Sequence, residues 1–174
     1  MRLETLREQY RQAREISRRN RLGMILTAAA AAAAAITVFQ FFIGIAVVDG
    51  TSMAPALGDR AVILYRKDAE ATHGDIVVLE NPRGETVVKR VIGTEGDEIG
   101  VDIYGRCVKN GRALAEPYAR YSYEGGAEAA QASVGPGQVF VLGDNRPLSK
   151  DSRDYGPVRA EDVRGRVLLA LNHF

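Results

Sequence analysis

The chain has 174 residues and a net charge of +1, with 23 Lys and Arg against 22 Asp and Glu, a balance that excludes a globally basic nucleic-acid binder. Hydrophobic residues make up 46% and charged residues 26%, which excludes wholesale disorder. The single cysteine, Cys107, excludes an internal disulfide and a thiolate metal cluster, and His73 and His173 stand too far apart for a local metal signature, so neither metal nor other cofactor is expected.

Residues 1–21 form a basic arm with seven Arg against three Glu. Leu3, Leu6, Tyr10 and Ala13 recur in it at helical spacing with Arg between them. Two readings fit: an amphipathic helix against the inner leaflet of a bilayer, or a solvated helical extension that enforces topology. Residues 22–48 carry no charge. At about 1.5 Å per residue they reach about 40 Å as a helix, against a hydrocarbon core of about 30 Å. A cleaved leader would have a shorter apolar stretch and a small-residue cleavage site, whereas this one runs into Val47-Val48-Asp49-Gly50. The expectation is a retained single-pass transmembrane helix over 22–48. The positive-inside rule then keeps the Arg-rich arm cytoplasmic and places residues 49–174 on the far side of the membrane.

After Asp49 short β-branched runs alternate with turn residues. Strands are predicted at Ala61–Tyr65, Asp75–Leu79, Thr86–Thr94, Glu98–Val101, Arg106–Lys109, Gln138–Leu142 and Val163–Leu171. Asn110-Gly111, followed by Arg112–Leu114, predicts a hairpin. The fold class is therefore mainly β: an antiparallel sheet or small β-barrel over 49–174, preceded by one N-terminal transmembrane α-helix. A variable, cap-like excursion is expected at about 102–135, of which Glu116–Ser133 is expected to be flexible.

Four segments carry the chemistry. Gly50-Thr51-Ser52-Met53-Ala54-Pro55 follows the apolar run. It does not match the G-x-S-x-G elbow, because Ala54 stands at the second glycine, so Ser52 taken alone is by default a loop hydroxyl. Gly74-Asp75-Ile76-Val77-Val78 is a turn entering a strand. In Val87-Val88-Lys89-Arg90-Val91, alternation puts Lys89 on the face of Val87 and Val91, and Arg90 on the other. A lysine desolvated among valines has a lowered pKa and can serve as a base, whereas the same pattern on an edge strand leaves it in solvent. Gly143-Asp144-Asn145-Arg146, followed by Ser149, Asp151 and Arg153, is dense enough in Asp and Arg to fix a loop by ion pairs.

These segments in this order, S-M-x-P-x-L, G-D-I-V-V, K-R-V-I-G and G-D-N-R-x-x-S-x-D-S-R-x-x-G, resemble the bacterial type I signal peptidase family over essentially the whole chain. The single span and short length are similar to its Gram-positive-style members. The resemblance implies a serine endopeptidase that removes signal peptides from exported preproteins after small residues in an A-x-A pattern. It implies Ser52 as nucleophile, Lys89 as general base and Ser149 as the serine that orients the lysine. It also implies an oxyanion hole built on the Ser52 N–H, with Gly50 standing where some members place a hydroxyl. Met53 would flank the substrate groove, and Arg90, Gly143, Asp144, Asn145, Arg146, Asp151 and Arg153 would support the site. The partners implied are preproteins and the lipid bilayer, with no nucleic acid and no metal, at a bacterial plasma membrane. Departures from the pattern are Ala56, Pro147 and Leu148. A self-cleaving repressor with the same dyad is disfavoured by the apolar span, and a Ser–His–Asp triad by the positions of His73 and His173. A non-catalytic anchored β-domain is disfavoured by the presence of both Ser52 and Lys89.

Overall fold

The computed structural model describes residues 2–67, 70–122 and 129–172. His173 and the side chains of Leu3, Leu6, Tyr10 and Ala13 lie outside what is described. The chain divides into two units, residues 1–41 and 42–174. The first is the helix α1, Arg2–Phe42. Its stretch Ser17–Phe42 is long and apolar enough to cross a membrane.

The uncharged run continues to Val48, but the helix stops at Phe42, short of the expected 22–48 span. Ile43–Val47 is instead a strand, β1, paired antiparallel with β2, Val62–Arg66. Ile43, Ile45 and Val47 are β-branched and alternate along the strand, a pattern that suits a pleated surface better than a helix. The remaining strands are β3 (Ile76–Glu80), β4 (Thr86–Thr94), β5 (Glu98–Val101), β6 (Cys107–Lys109), β7 (Arg112–Ala113), β8 (Ala130–Ser133), β9 (Gln138–Leu142), β10 (Val158–Arg159) and β11 (Val163–Leu171). A four-residue helix, α2, spans Ser152–Tyr155.

Among the described residues these strands make two antiparallel sheets, one ordered β1-β2-β11-β3-β4-β9-β10 and the other β7-β6-β5-β8. The predicted hairpin is present, with Asn110 and Gly111 both at positive φ between β6 and β7. The stretch expected to be flexible is in part ordered. Ala130–Ser133 pairs with β5, because Ala130 and Ala132 pack against the core cluster of Ile92, Ile99, Val101, Cys107, Val134, Phe140 and Leu142.

That cluster joins the two sheets, and β4 feeds it through a bulge. The register with β9 slips between Val91 and Gly93, which sends Ile92 into the intersheet core. Before the bulge, Val87 and Val91 pack with Val77, Leu79 and Val141, while Val88 packs on the other face with Met53, Leu57 and Ile63. Val87 and Val88 are partly buried and the others fully so; each fully buried side chain contributes about 1.5–3 kcal/mol relative to exposure.

On the outer face of β1-β2-β11 the register lines up Ile45, Leu64 and Leu169, then Val47, Val62 and Leu171. Ile45, Val47, Leu169 and Leu171 are exposed.

Candidate active site

Three elements converge on Lys89. It lies mid-way along β4 opposite Val77 of β3, and its side chain is 4% exposed. Its Nζ is 2.8 Å from Ser52 Oγ, a hydrogen bond between groups 37 positions apart. Burial lowers the Lys89 pKa from its ordinary value, the charge of Asp151 works against that, and Arg153 adds to the lowering. The buried setting, rather than the solvated edge, is the one observed.

Ser52 sits in a turn that folds back on itself, with Ala54 N–H donating to Thr51 O and Leu57 N–H to Met53 O. This turn drives Met53 and Leu57 into the core with Val48, Ala61 and Ile63. Met53, expected beside the groove, is fully buried beneath the loop instead. Gly50 holds a positive φ and its N–H donates to Asp59 Oδ1 at 2.8 Å, so this group is already engaged. The Ser52 N–H donates to no acceptor among the described residues.

The loop after β9 supplies the frame. Asn145 N–H donates to Ser52 O at 3.0 Å and its Nδ2 to Thr51 O at 3.1 Å, so this one residue holds the main chain at Thr51–Ser52. Arg90 grips both oxygens of the buried Asp144, Nε to Oδ1 at 2.8 Å and Nη2 to Oδ2 at 2.7 Å, and donates to Gly74 O. Bidentate pairing of this kind fixes geometry as well as charge. Asp151 caps α2, accepts both Nε and Nη2 of Arg153, and takes the Gly143 N–H at 3.0 Å. Arg153 in turn donates to Arg146 O and Ser149 O.

Ser149 is brought to the site without the expected bond. Its Oγ is buried with no hydrogen-bond partner, and it donates nothing to Lys89. Its position depends on Gly143: a Cβ there would overlap Ser149 Oγ and stand 2.6 Å from the Ser52 carbonyl oxygen. Only glycine lets the loop pass so close.

The dyad opens into a cleft of about 360 Å³ lined by Ser52, Lys89, Val87, Arg83, Leu148 and Tyr155. Leu148, one of the departures from the family pattern, lines it with 68% exposure. A larger hollow of about 770 Å³ on the four-stranded sheet, lined among others by Ile99, Val101, Leu114 and Tyr121, contains neither member of the dyad. The smaller cleft is where a serine hydroxyl and a desolvated amine meet. An amine neutral at working pH can take the hydroxyl proton as the oxygen attacks a carbonyl carbon.

Residues without a sequence signal also belong to this frame. Glu116, Tyr118 and Arg120 reach it from the segment after β7, and Asp59 reaches it from the turn before β2. A buried acid implies a buried partner, but its position along the chain gives no hint of which.

Comparison with known proteins places these residues among relatives. The family model described as "Signal peptidase, peptidase S26" matches residues 21–171. Signal peptidase I U of Bacillus subtilis (strain 168) is 31% identical over 166 residues, covering 88% of this chain and 86% of its own. Signal peptidase I of Bacillus caldolyticus is 34% identical, over 70% of this chain and 75% of its own. The mitochondrial inner membrane protease subunit 1 of Xenopus tropicalis is 31% identical over 86% of this chain and 81% of its own. A crystal structure of a signal peptidase I from Enterococcus faecalis V583 is similar at a TM-score of 0.50 and 32% identity, covering 58% of this chain and 98% of that one.

Proposed function

The chain belongs to the peptidase S26 family of signal peptidases, and from that premise we propose that it is a membrane-anchored serine endopeptidase that cleaves exported preproteins after small A-x-A residues through an acyl-enzyme on Ser52. The observation that carries this reading is the 2.8 Å contact between Ser52 Oγ and a buried Lys89 Nζ.

Neutral Lys89 removes the Ser52 proton as Oγ attacks the scissile carbonyl carbon. The carbonyl oxygen becomes an oxyanion, which the Ser52 N–H is free to meet. Collapse of the intermediate breaks the C–N bond, and the Lys89 ammonium protonates the departing amine. The signal peptide is left as an ester on Ser52. Lys89, neutral again, takes a proton from water, which attacks the ester; the peptide leaves as a carboxylate and Ser52 regains its proton. Ser149, beside this pair, is poised to steady the ammonium once a rotation of its hydroxyl or of Lys89 closes the gap.

The cleavage site of a preprotein lies next to its own apolar segment. A protease anchored by Ser17–Phe42 shares the bilayer with it, which raises their effective concentration. The exposed apolar side chains Ile45, Val47, Leu169 and Leu171 of β1 and β11 suit the same boundary. In this reading the protein is single-pass in a bacterial plasma membrane, with the Arg-rich arm cytoplasmic.

The test is cleavage of a preprotein by the full chain in detergent. Ser52→Ala and Lys89→Ala each remove activity while the far-UV spectrum and Tm hold. Full activity in the Lys89→Ala protein refutes the dyad, and protease access to residues 49–174 from the cytoplasmic side refutes the orientation.

A further inference from the structure

Glu116 lies in a segment with no motif, yet its carboxylate is the partner of the most deeply buried cation near the site. Arg146 is 1% exposed, and its Nη2 and Nη1 donate to Glu116 Oε1 at 2.6 Å and Oε2 at 3.0 Å. Arg146 also donates to Gly143 O and to Gly105 O. Gly105 has positive φ, and a Cβ there would stand 2.6 Å from Arg146 Cβ, so the fit admits only glycine.

Tyr118 extends the connection. Its hydroxyl donates to Glu116 Oε1 at 3.0 Å, and its ring lies 3.9 Å beneath the Arg90 guanidinium. Arg90 holds Asp144. The main chain closes the figure: Arg120 N–H donates to Asp144 O at 2.7 Å and Arg146 N–H to Arg120 O at 3.0 Å. Arg90, Asp144, Arg146, Glu116 and Tyr118 thus form a circuit around Asn145, the residue that bonds the Thr51 and Ser52 carbonyls.

A buried ion pair gives little stability over apolar packing of the same volume, whereas it specifies one geometry sharply. We propose that Glu116 and Tyr118 are positioning residues for the reaction: they clamp Asn145 from the four-stranded-sheet side and so hold the main chain at Thr51–Ser52 in line with Lys89 and the scissile carbonyl. The proposal rests on the reading of Ser52 as nucleophile.

The test uses the full chain in detergent with Glu116→Gln, Tyr118→Phe and the apolar pair Glu116→Leu with Arg146→Met. Three quantities are read: kcat and KM for a preprotein, Tm, and amide hydrogen exchange in peptides covering 143–149 and 50–57. Glu116→Gln is expected to lower kcat by about 10- to 100-fold with KM within about twofold, the scale of a small misplacement of a reacting group. It is also expected to speed exchange at Asn145 and Arg146. Tyr118→Phe keeps the ring over Arg90, loses one hydrogen bond, and lowers kcat severalfold; it carries the test if Glu116→Gln does not fold. The apolar pair is expected to bring Tm back near the parent while kcat stays low. Recovery of both Tm and kcat in the apolar pair assigns Glu116 to stability alone and overturns the proposal, as does unchanged exchange at Asn145 in Glu116→Gln. Ser52→Ala retaining cleavage would instead refute the nucleophile assignment, and the exchange measurement would still decide whether Glu116 holds Asn145.

Discussion

The loop 143–153 and the strap 116–121 are bonded directly to each other through Arg120 and its neighbours Asp144 and Arg146, and both are built on buried Arg–carboxylate pairs. In the loop, Asp151 and Arg153 are two residues apart, and Asp151 caps the short helix that contains Arg153. Glu116 in the strap finds Arg146 at a separation of 30 residues, and Tyr118 stacks on Arg90 of a different strand. The first pair forms wherever the loop forms. The second exists only when both sheets are in place, so it reports on the assembly of the domain rather than on local folding.

The largest effect expected is on the local pair. Asp151→Asn leaves Arg153 buried without its charge partner, and a loss of about 3–5 kcal/mol follows. Chemical denaturation measures it; a loss below about 1 kcal/mol would show that the loop does not depend on its own pair. Next is Gly143→Ala, whose methyl group collides with Ser149 and the Ser52 carbonyl. Cleavage is expected to fall at least about 100-fold, with a smaller change in Tm.

The dyad itself is tested by pH. Burial lowers the Lys89 pKa, so the neutral form that the proposed mechanism requires appears on raising pH through a value below the ordinary lysine range. Cleavage therefore increases with pH across that value and is lost on the acid side as the ammonium forms. Lys89→Arg, protonated throughout, is expected to be inactive at every pH; an active arginine variant would remove proton transfer from Lys89's role.

The strap has its own reporter. Cys107 is buried, its Sγ is 3.2 Å from Arg146 Nη1, and burial pushes its thiol up to about 12. Maleimide labelling is expected to be slow in the parent and several times faster in Tyr118→Phe, whereas Asp151→Asn with the strap intact speeds it less. The smallest effect is on the exposed pair of Arg164 and Glu80: Glu80→Gln is expected to change stability by under about 0.5 kcal/mol.

Much of the fold is legible in the chain as short β-branched runs set between turn residues. β4, β5, β9 and β11 fall where such runs put them, and the Asn110-Gly111 hairpin follows from turn chemistry alone. β1 is hidden because β-branched residues that continue an apolar helix look like more of that helix. β8 is hidden because Ala130–Ser133 has no strong periodicity and owes its state to pairing with β5. At the site, Ser52, Lys89 and the Asp–Arg loop are legible as short motifs. Burial of Met53 is not, since it depends on a turn that rotates the residue after Ser52 inward. The link from Glu116 to Arg146 is not either, because pairing across 30 residues leaves no trace in local spacing.

The place of β11 sets when this site can come into being. The strand that follows the turn of Ser52 is β2, and Lys89 is on β4; the sheet order β2-β11-β3-β4 puts β11, the latest strand in the chain, between them. During synthesis the two halves emerge early but lack a common sheet until residues 163–171 have been made and inserted. Such non-local pairing is slow relative to hairpin closure. The contact between Ser52 and Lys89 is thus expected to assemble only after the chain is nearly finished, with β11 seated between the strands that flank it.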